Sequence, residues 1–239
     1  MRFPSTPVVL LHAFPLDSRM WDDVRPAVDG LITPDQRGFG TAPLGDAPPD
    51  LAAAAADVIA LLDGRRVVLG GCSMGGYVAM AVLRAAPSLV AGLVLVDTRA
   101  AADTPAAREN RLTAAERAET EGVGWIPDAM LPALLGPGAG PEVVERTRAL
   151  ILEQDPAAVA WAQRAMAARP DSASLLRSVD VPTLIVRGAD DELIPRAEAE
   201  ALAELMPAAE VVELSGAGHL PPLETPEEFV RVLRGWMAG

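Results

Sequence analysis

Residues 67–76 read Val67-Val68-Leu69-Gly70-Gly71-Cys72-Ser73-Met74-Gly75-Gly76. An apolar run leads directly into Gly-x-Ser-x-Gly, and a stretch of helical character that is apolar nearly all round follows it as far as Ala86. This order predicts a buried strand, a sharp turn that holds the Ser73 hydroxyl clear of the sheet, and a buried helix. Glycines are needed on both sides of such a serine, because side chains there would clash with the crossing backbone. The alternative is a serine that merely caps a helix, and that alternative leaves the glycines unexplained.

Further short apolar runs predict a parallel sheet. Strands are expected at Val8–Leu11, Leu31–Thr33, Arg66–Gly70, Leu93–Val96, Thr183–Val186 and Val211–Leu214. Helical patterns lie between them, among them a helix that starts at Leu51 and a last helix with Thr225 as N-cap, Pro226 at N1 and Glu228 at N3. Strands that alternate with helices predict an α/β fold with a short, mainly parallel sheet of about six strands flanked by helices.

One long segment breaks this alternation. Residues 99–178 contain no convincing strand and predict four helices, near 105–121, 127–135, 141–153 and 156–168. An all-helical insertion between two strands is most simply a cap over the carboxyl edge of the sheet, where α/β proteins bind their ligands. The expected domains are therefore a core of residues 1–98 and 179–239 and a helical cap of residues 99–178.

A serine hydroxyl is a weak nucleophile without a base, so a histidine and a carboxylate are required. His219 follows the last predicted strand, and Asp191 follows the strand before it. Both residues therefore lie at the same sheet edge as Ser73, and the chain order Ser, Asp, His is the order expected for this type of turn. We predict a catalytic triad of Ser73, Asp191 and His219. Asp190 and Asp97 are the other carboxylates placed after strands, and each has turn capping or an ion pair as its ordinary alternative.

A tetrahedral oxyanion needs two backbone N–H donors. One is expected from Met74, which follows the nucleophile, and the other from Phe14 in the loop after the first strand. His12 in the same loop is expected to support the loop and not to transfer protons. Four large side chains of the predicted cap are candidates for an acyl pocket, with packing between helices as an equal alternative. These candidate substrate-binding residues are Trp125, Met130, Trp161 and Met166.

The sequence resembles the α/β-hydrolase superfamily over nearly the whole chain outside the predicted cap. His12-Ala13-Phe14-Pro15 is similar to the family's His-Gly-x-Pro loop, and Asp35-Gln36-Arg37-Gly38-Phe39-Gly40 is similar to its Asp-x-Arg-Gly-x-Gly segment. Asp191-x-x-x-Pro195 and Gly218-His219 match its acid and base motifs, which favours Asp191 over its neighbours. The turn Ser73-Met74-Gly75-Gly76, called the elbow below, resembles that of the cofactor-free haloperoxidase and aryl-esterase branch. The chain from Thr183 on resembles enol-lactonases and small esterases.

The resemblance implies a serine hydrolase that cleaves a small, largely apolar carboxylic ester or lactone through an acyl-enzyme. Perhydrolase, lyase or acyltransferase chemistry on the same residues is one alternative. A receptor-like relative that binds a ligand with little turnover is the other. The residue at the elbow is a serine, which argues against the aspartate-dependent dehalogenases and epoxide hydrolases of the same superfamily.

Composition excludes several other classes of protein. Half of the 239 residues are hydrophobic and 22% are charged, which suits one sizeable core and excludes wholesale disorder. The 33 acidic and 20 basic residues give a formal charge of −13. Such a surface repels phosphate backbones and anionic lipids, so we expect neither nucleic acid nor a membrane as partner. The small-molecule ester or lactone that the resemblance implies remains the expected partner.

Four further observations limit the chemistry and the location of the protein. Every basic residue is arginine, which excludes Schiff-base chemistry and lysine-dependent phosphate loops. One cysteine and two histidines leave no disulfide framework and little room for a metal site, so we expect neither a cofactor nor a metal. No apolar run approaches about 18 residues. The first residues lack a signal-peptide cleavage site, and the protein is therefore predicted to be cytoplasmic.

Overall fold

A computed structural model describes residues 2–3 and 5–239 of the chain. Its centre is a six-stranded sheet in the order β2-β1-β3-β4-β5-β6, in which all neighbouring strands are parallel. The strands are β1 (Val8–Leu11), β2 (Leu31–Ile32), β3 (Val67–Cys72), β4 (Val90–Val96), β5 (Thr183–Gly188) and β6 (Glu210–Leu214). The predicted α/β fold with a short parallel sheet is confirmed.

Burial explains why these strands are continuous apolar runs. β1, β3 and β5 are buried along their whole length, as expected of parallel strands covered by helices on both faces. β6 lies at one edge of the sheet and is mostly exposed. β3 continues two residues beyond the predicted end at Gly70, because Gly71 and Cys72 pair with Leu95 and Val96 of β4. Paired glycines usually indicate a turn, but Gly70 and Gly71 lie within the strand.

The helices surround this sheet. α1 begins at Leu51 as predicted, where the Asp50 carboxylate accepts the N–H of Ala52 at 2.8 Å. The helices of the core and of the segment between β4 and β5 are α1 (Leu51–Leu62), α2 (Met74–Ala85), α3 (Pro105–Glu121), α4 (Ile126–Leu134), α5 (Pro141–Leu152), α6 (Pro156–Ala168), α7 (Ala173–Arg177), α8 (Arg196–Leu205), α9 (Pro221–Glu224) and α10 (Pro226–Ala238). Within the described residues, no helix is both long and apolar enough to span a membrane.

The last helix starts where the sequence predicts it, with Thr225 at the N-cap position, but the side-chain capping hydrogen bond is absent. The Thr225 hydroxyl donates to the carbonyl of Pro221, and its oxygen accepts no N–H of α10. The reason is the short helix α9, which the sequence analysis did not predict. Thr225 ends α9, its N–H donates to the same carbonyl at 2.8 Å, and its side chain is therefore held over α9. Glu228 pairs with Arg231.

The segment between β4 and β5 is helical throughout. Helices α3 to α6 lie where the sequence predicts them, and the short α7 was not predicted. α3 packs along α6, and α4 packs along α5. A buried ion cluster joins the start of this segment to its end. The Asp103 carboxylate accepts hydrogen bonds from the guanidinium groups of Arg111 at 2.6 Å and Arg169 at 2.8 Å. The side chains of Asp103 and Arg169 are almost fully buried.

We expect this ion cluster to be the main polar contribution to the stability of the helical segment. Burial alone would raise the pKa of Asp103, but the hydrogen bond from Arg169 and the charges of both arginines hold it below its usual value. Asp103→Ala leaves Arg169 buried without its carboxylate and should lower the free energy of unfolding by about 3–5 kcal/mol. Urea unfolding measures this loss.

The matched control is Glu121→Ala, which removes an exposed ion pair with Arg117 and should cost less than about 1 kcal/mol. Equal losses in the two variants would contradict the assignment.

Candidate active site

The turn at Ser73 has the geometry of a strained elbow. Ser73 has φ +53° and ψ −111°, a backbone conformation that is rare for any residue except glycine. Its side chain makes no capping hydrogen bond to α2, so the alternative of a simple helix cap is wrong. A Cβ on Gly71 would lie 2.2 Å from the carbonyl carbon of Gly75, and a Cβ on Gly75 would lie 2.3 Å from the carbonyl oxygen of Leu11. Both flanking glycines are therefore required sterically.

The strand order brings the loops that carry the candidate residues to one edge. β1 and β3 are neighbours, with Leu11 opposite Gly71. The strand that follows β1 in the sequence lies toward one edge of the sheet, and the strand that follows β3 lies toward the other edge. This is the topological switch point, at which open α/β sheets bind ligands. Phe14 follows β1 and Ser73 follows β3, so the two loops border this point. On the other side of β3, Cys72 lies opposite Val96 of β4.

His219 and Asp191 form a buried hydrogen-bonded pair. His219 Nδ1 lies 2.8 Å from Asp191 Oδ2, and the two residues are 0% and 5% exposed. The other carboxylate oxygen of Asp191 accepts the N–H groups of Leu193 at 2.8 Å and Ile194 at 3.0 Å. Burial alone would raise the pKa of Asp191, but the hydrogen bond and charge of His219 outweigh it and hold that pKa below its usual value.

This pairing fixes the tautomer of His219. Nδ1 must carry the proton that Asp191 accepts, so Nε2 of the neutral ring has a free lone pair. Nε2 is buried and has no hydrogen-bond partner in the part of the chain that the structure describes. The hydroxyl of Ser73 therefore makes no hydrogen bond to His219 Nε2. Ser73 itself is half-buried. Hydrogen bonds of this kind are often long in a free enzyme and tighten when substrate binds.

The two expected amide donors lie next to this turn. Gly75 packs against the carbonyl oxygens of Leu11 and His12, which sets the first turn of α2 against the loop that contains Phe14. Among the described residues, the amide N–H groups of Phe14 and Met74 donate to no other group. Both are therefore available for a developing negative charge, and the N-terminus of α2 adds the favourable end of a helix dipole.

His12 is held at both ring nitrogens. Its Nε2 accepts the N–H of Gln36 at 2.9 Å, and its Nδ1 lies 3.0 Å from the carbonyl of Ala13. The Gln36 side chain also donates to the His12 carbonyl at 2.7 Å. Burial lowers the pKa of His12, which keeps the ring neutral. His12 therefore joins the loop after β1 to the segment that begins at Asp35, in agreement with a supporting role.

The other two aspartates considered from the sequence occupy different environments. Asp190 is exposed. Asp97 is only 3% exposed, and burial together with the negative charge of the nearby Asp191 raises its pKa well above the usual value. Its oxygens accept the N–H of Gly188 at 3.0 and 3.1 Å. Asp191, and not Asp97, is the carboxylate bonded to the imidazole ring.

The comparisons with known proteins agree with this geometry. Residues 8–232 match the model of the alpha/beta hydrolase family. The chain belongs to the alpha/beta hydrolase family. A solved thermophilic esterase from Thermogutta terrifontis, with malate bound, is 41% identical to this hydrolase. The TM-score is 0.94, and the match covers 99% of this chain and 90% of that one.

Two further similar proteins are named as an esterase and a lactonase. A pimeloyl-[acyl-carrier protein] methyl ester esterase of Neisseria meningitidis is 30% identical to this hydrolase over 259 residues, which cover 97% of this chain and 93% of the relative. The enol-lactonase from Burkholderia xenovorans is 24% identical with a TM-score of 0.89, over 99% of this chain and 93% of that one, and it shows the shared fold. The predicted membership of the superfamily is confirmed.

The four large side chains that were predicted to line an acyl pocket do not share one location. Trp161 lines a void of about 10 Å³ together with Met74 and Val78 of α2, and its Nε1 donates to the carbonyl of Ala47 at 2.9 Å. Trp125 lies under the guanidinium of Arg117, and Met166 accepts a weak hydrogen bond from Arg111. Met130 packs against the core as a partly buried side chain. Of the four, Trp161 is the one placed beside the elbow.

Glu224 is the residue of this site that the sequence analysis missed. Its carboxylate accepts three backbone N–H groups, from Gly136 at 2.7 Å, Gly218 at 3.0 Å and Leu220 at 3.0 Å. Two of these residues flank His219, and the third follows α4. The carbonyl of Leu134, at the end of α4, accepts the N–H of His219 at 3.1 Å. Glu224 therefore ties the loop of His219 to the helical segment, even though burial raises its pKa.

The described residues contain no cluster of three or more His, Cys, Asp or Glu side chains that could hold a metal. Cys72 next to Ser73 is buried, and burial raises the pKa of its thiol well above the usual value. Its Sγ lies 3.5 Å from the carbonyl oxygen of His219, so the thiol packs under the histidine loop.

We expect Glu224 to position His219. Glu224→Ala leaves three N–H groups without their acceptor and should lower the free energy of unfolding by about 2–3 kcal/mol. The loosened histidine loop should also lower kcat/KM for an ester by at least about tenfold. Urea unfolding and steady-state hydrolysis measure the two effects.

The control is Glu227→Ala, an exposed residue of the next helix, which should change neither quantity. Identical behaviour of the two variants would contradict the role of Glu224.

Proposed function

We propose that this chain is a serine hydrolase that cleaves a small, largely apolar carboxylic ester or lactone through an acyl-enzyme intermediate. The observation that carries the proposal is the buried pair of His219 and Asp191, 2.8 Å apart, on the sheet edge that also holds Ser73 in a strained elbow. The esterase names of similar proteins support ester hydrolysis as the reaction. In this proposal Ser73, Asp191 and His219 are the catalytic triad.

The first half of the reaction forms the acyl-enzyme. Ser73 Oγ attacks the carbonyl carbon of the ester while its proton passes to His219 Nε2, and the carbonyl π electrons move onto the oxygen. Asp191 holds the ring in the reactive tautomer and stabilises the imidazolium that forms. The N–H groups of Phe14 and Met74 stabilise the oxyanion. The intermediate then collapses, and the leaving alkoxide takes the proton from His219.

The second half of the reaction removes the acyl group. A water molecule gives a proton to His219 Nε2 as its oxygen attacks the acyl carbon, and the same two amides stabilise the second oxyanion. Ser73 leaves with the proton from the imidazolium, which restores the enzyme and releases the carboxylic acid. With a lactone, the alcohol and the acid remain in one product.

The space beside the elbow supports a small apolar acyl group. Phe39, Val78, Leu51 and Trp161 line the void next to Met74, and its volume of about 10 Å³ is close to the minimum that holds one water molecule. An acyl chain that entered this void would require Trp161 or its neighbours to move. Trp161 is the largest of these side chains and limits the chain length in this proposal.

Ester hydrolysis should depend on Ser73. Ser73→Ala should lower kcat/KM for p-nitrophenyl acetate by at least about 10³-fold, because the nucleophile is lost while the amide donors remain. Ser174→Ala, which changes an exposed serine of α7, should retain wild-type activity. Unchanged hydrolysis by the folded Ser73→Ala protein would overturn the proposal.

The alternatives use the same residues and differ in their products. Hydrogen peroxide or an acceptor alcohol in place of water would give a peracid or a new ester, so product analysis with each present separates hydrolase from perhydrolase and acyltransferase chemistry. Saturable binding of an ester with thermal stabilisation but no product would favour the receptor-like alternative. The proposal expects the free carboxylic acid as the main product.

Trp161 should set the preferred acyl length. Trp161→Ala opens the void next to Met74 and should raise kcat/KM for p-nitrophenyl octanoate relative to the acetate by about tenfold. Trp125→Ala removes a ring of similar size that lies under Arg117, and it should leave this ratio unchanged. An unchanged ratio in Trp161→Ala would place the acyl group elsewhere.

A further inference from the structure

Asp97 is a buried carboxyl group beside the candidate triad to which the proposed mechanism assigns no role. It is 3% exposed and has φ +41°, a left-handed conformation that Asp and Asn tolerate better than most residues. Its N–H donates to the carbonyl of Val186 at 3.0 Å. A buried carboxyl group in a strained backbone position is costly, so the contacts that it makes there require an explanation.

The register of the sheet determines its neighbours. Asp97 follows β4, where Val96 lies opposite Cys72 on one side and opposite Val186 on the other. It therefore stands between the strand that ends at Ser73 and the strand that leads to Asp191. Its oxygens accept the N–H of Gly188, which begins the loop of Asp191.

The charged and titratable groups around Asp97 do not supply a counter-ion. The carboxylate of Asp191 is close enough for its charge to raise the pKa of Asp97, and Asp191 in turn is bonded to His219. The thiol of Cys72 faces it from β3. Arg187 is the nearby cation on β5, but its guanidinium donates to Glu213 at 2.6 Å and to the carbonyl of Ala189 at 3.2 Å. A carboxylate pair in this setting cannot be doubly ionised without a large cost in free energy.

Hydrogen-bond donors decide which of the two carboxyls holds the proton. Asp191 accepts three N–H donors, from Leu193, Ile194 and His219, whereas Asp97 accepts the single N–H of Gly188 shared between its oxygens. The negative charge is stabilised where the donors are, on Asp191. Burial and then the charge of Asp191 raise the pKa of Asp97 well above its usual value, which agrees with this distribution.

We propose that Asp97 is a neutral carboxylic acid whose O–H donates to the carboxylate of Asp191, and that it is a positioning residue for the pair of Asp191 and His219. This inference rests on the proposed function. The fourth donor holds the Asp191 carboxylate in place and withdraws charge from it. It therefore limits how strongly Asp191 stabilises a protonated His219 ring.

The test compares two variants by titration of the imidazole. His219 and His12 are the only histidines of the chain, so long-range ¹H–¹⁵N correlation spectra of the labelled protein contain two imidazoles. The signals that disappear in His219→Gln identify His219. Asp97→Asn keeps a neutral N–H donor and the tolerated backbone conformation. Asp97→Gly removes the donor and relieves the positive φ.

A neutral Asp97 predicts that Asp97→Asn leaves the titration midpoint of His219 at its wild-type value. An ionised Asp97 predicts the opposite, because loss of a negative charge would lower the midpoint by about one pH unit. Asp97→Gly should raise the midpoint, since Asp191 with one donor fewer binds the imidazolium more tightly. The acid limb of the pH profile of kcat/KM should move by the same amount and in the same direction as this midpoint. A lowered midpoint in Asp97→Asn, or an unmoved one in Asp97→Gly, would overturn the inference.

Asp190→Asn is the matched control, since it removes an exposed charge next to Asp191 and should leave the midpoint nearly unchanged. The titration does not require turnover, so it separates the two proposals. A wild-type protein that hydrolyses no ester, but whose His219 titrates as stated, would contradict the proposed function and leave the role of Asp97 standing.

Discussion

The close approach of three backbone segments at Ser73 is the constraint on which the rest of the site depends. β3 can turn sharply into α2 only because Gly71 and Gly75 lack side chains, since a Cβ on either would lie within 2.3 Å of a neighbouring backbone atom. The turn forces Ser73 into a left-handed conformation and leaves the first amides of α2 open. The same packing sets α2 against the end of β1. The position of the candidate nucleophile and those of the candidate oxyanion donors are therefore consequences of one steric arrangement.

Polar groups under the helical segment are balanced by specific partners. The pair of Asp191 and His219 is buried, and backbone N–H groups stabilise the carboxylate from the side opposite the ring. Asp97 extends this chain of hydrogen bonds by one residue, and Glu224 anchors the loop of His219 to the end of α4. Burial strengthens these interactions, because little water competes for the same donors. The helical segment thus takes part in holding the loop of His219, the candidate base, in place.

The features that local sequence encodes could be predicted. The six strands, the elbow and the four long helices between β4 and β5 follow from apolar runs, glycine positions and prolines at helix starts. Contacts between distant segments could not be predicted, because no local pattern reports them. Glu224 reaches Gly136 across 88 residues, and Asp97 reaches Gly188 across 91. The missing side-chain hydrogen bond of Thr225 has a similar reason, since the four-residue helix α9 has too little periodicity to be recognised. The position of Trp161 beside Met74 likewise depends on how α6 packs.

The most direct test of the central claim is covalent labelling with a fluorophosphonate probe, followed by intact-mass measurement and peptide mapping. The probe reacts with a serine only when a base and an oxyanion site activate it. The account predicts one adduct per chain, on Ser73, that forms in the wild type and is absent from Ser73→Ala. Absence of any adduct on well-folded wild-type protein, or an adduct on another serine, would contradict the assignment of Ser73, His219 and Asp191 as a working triad.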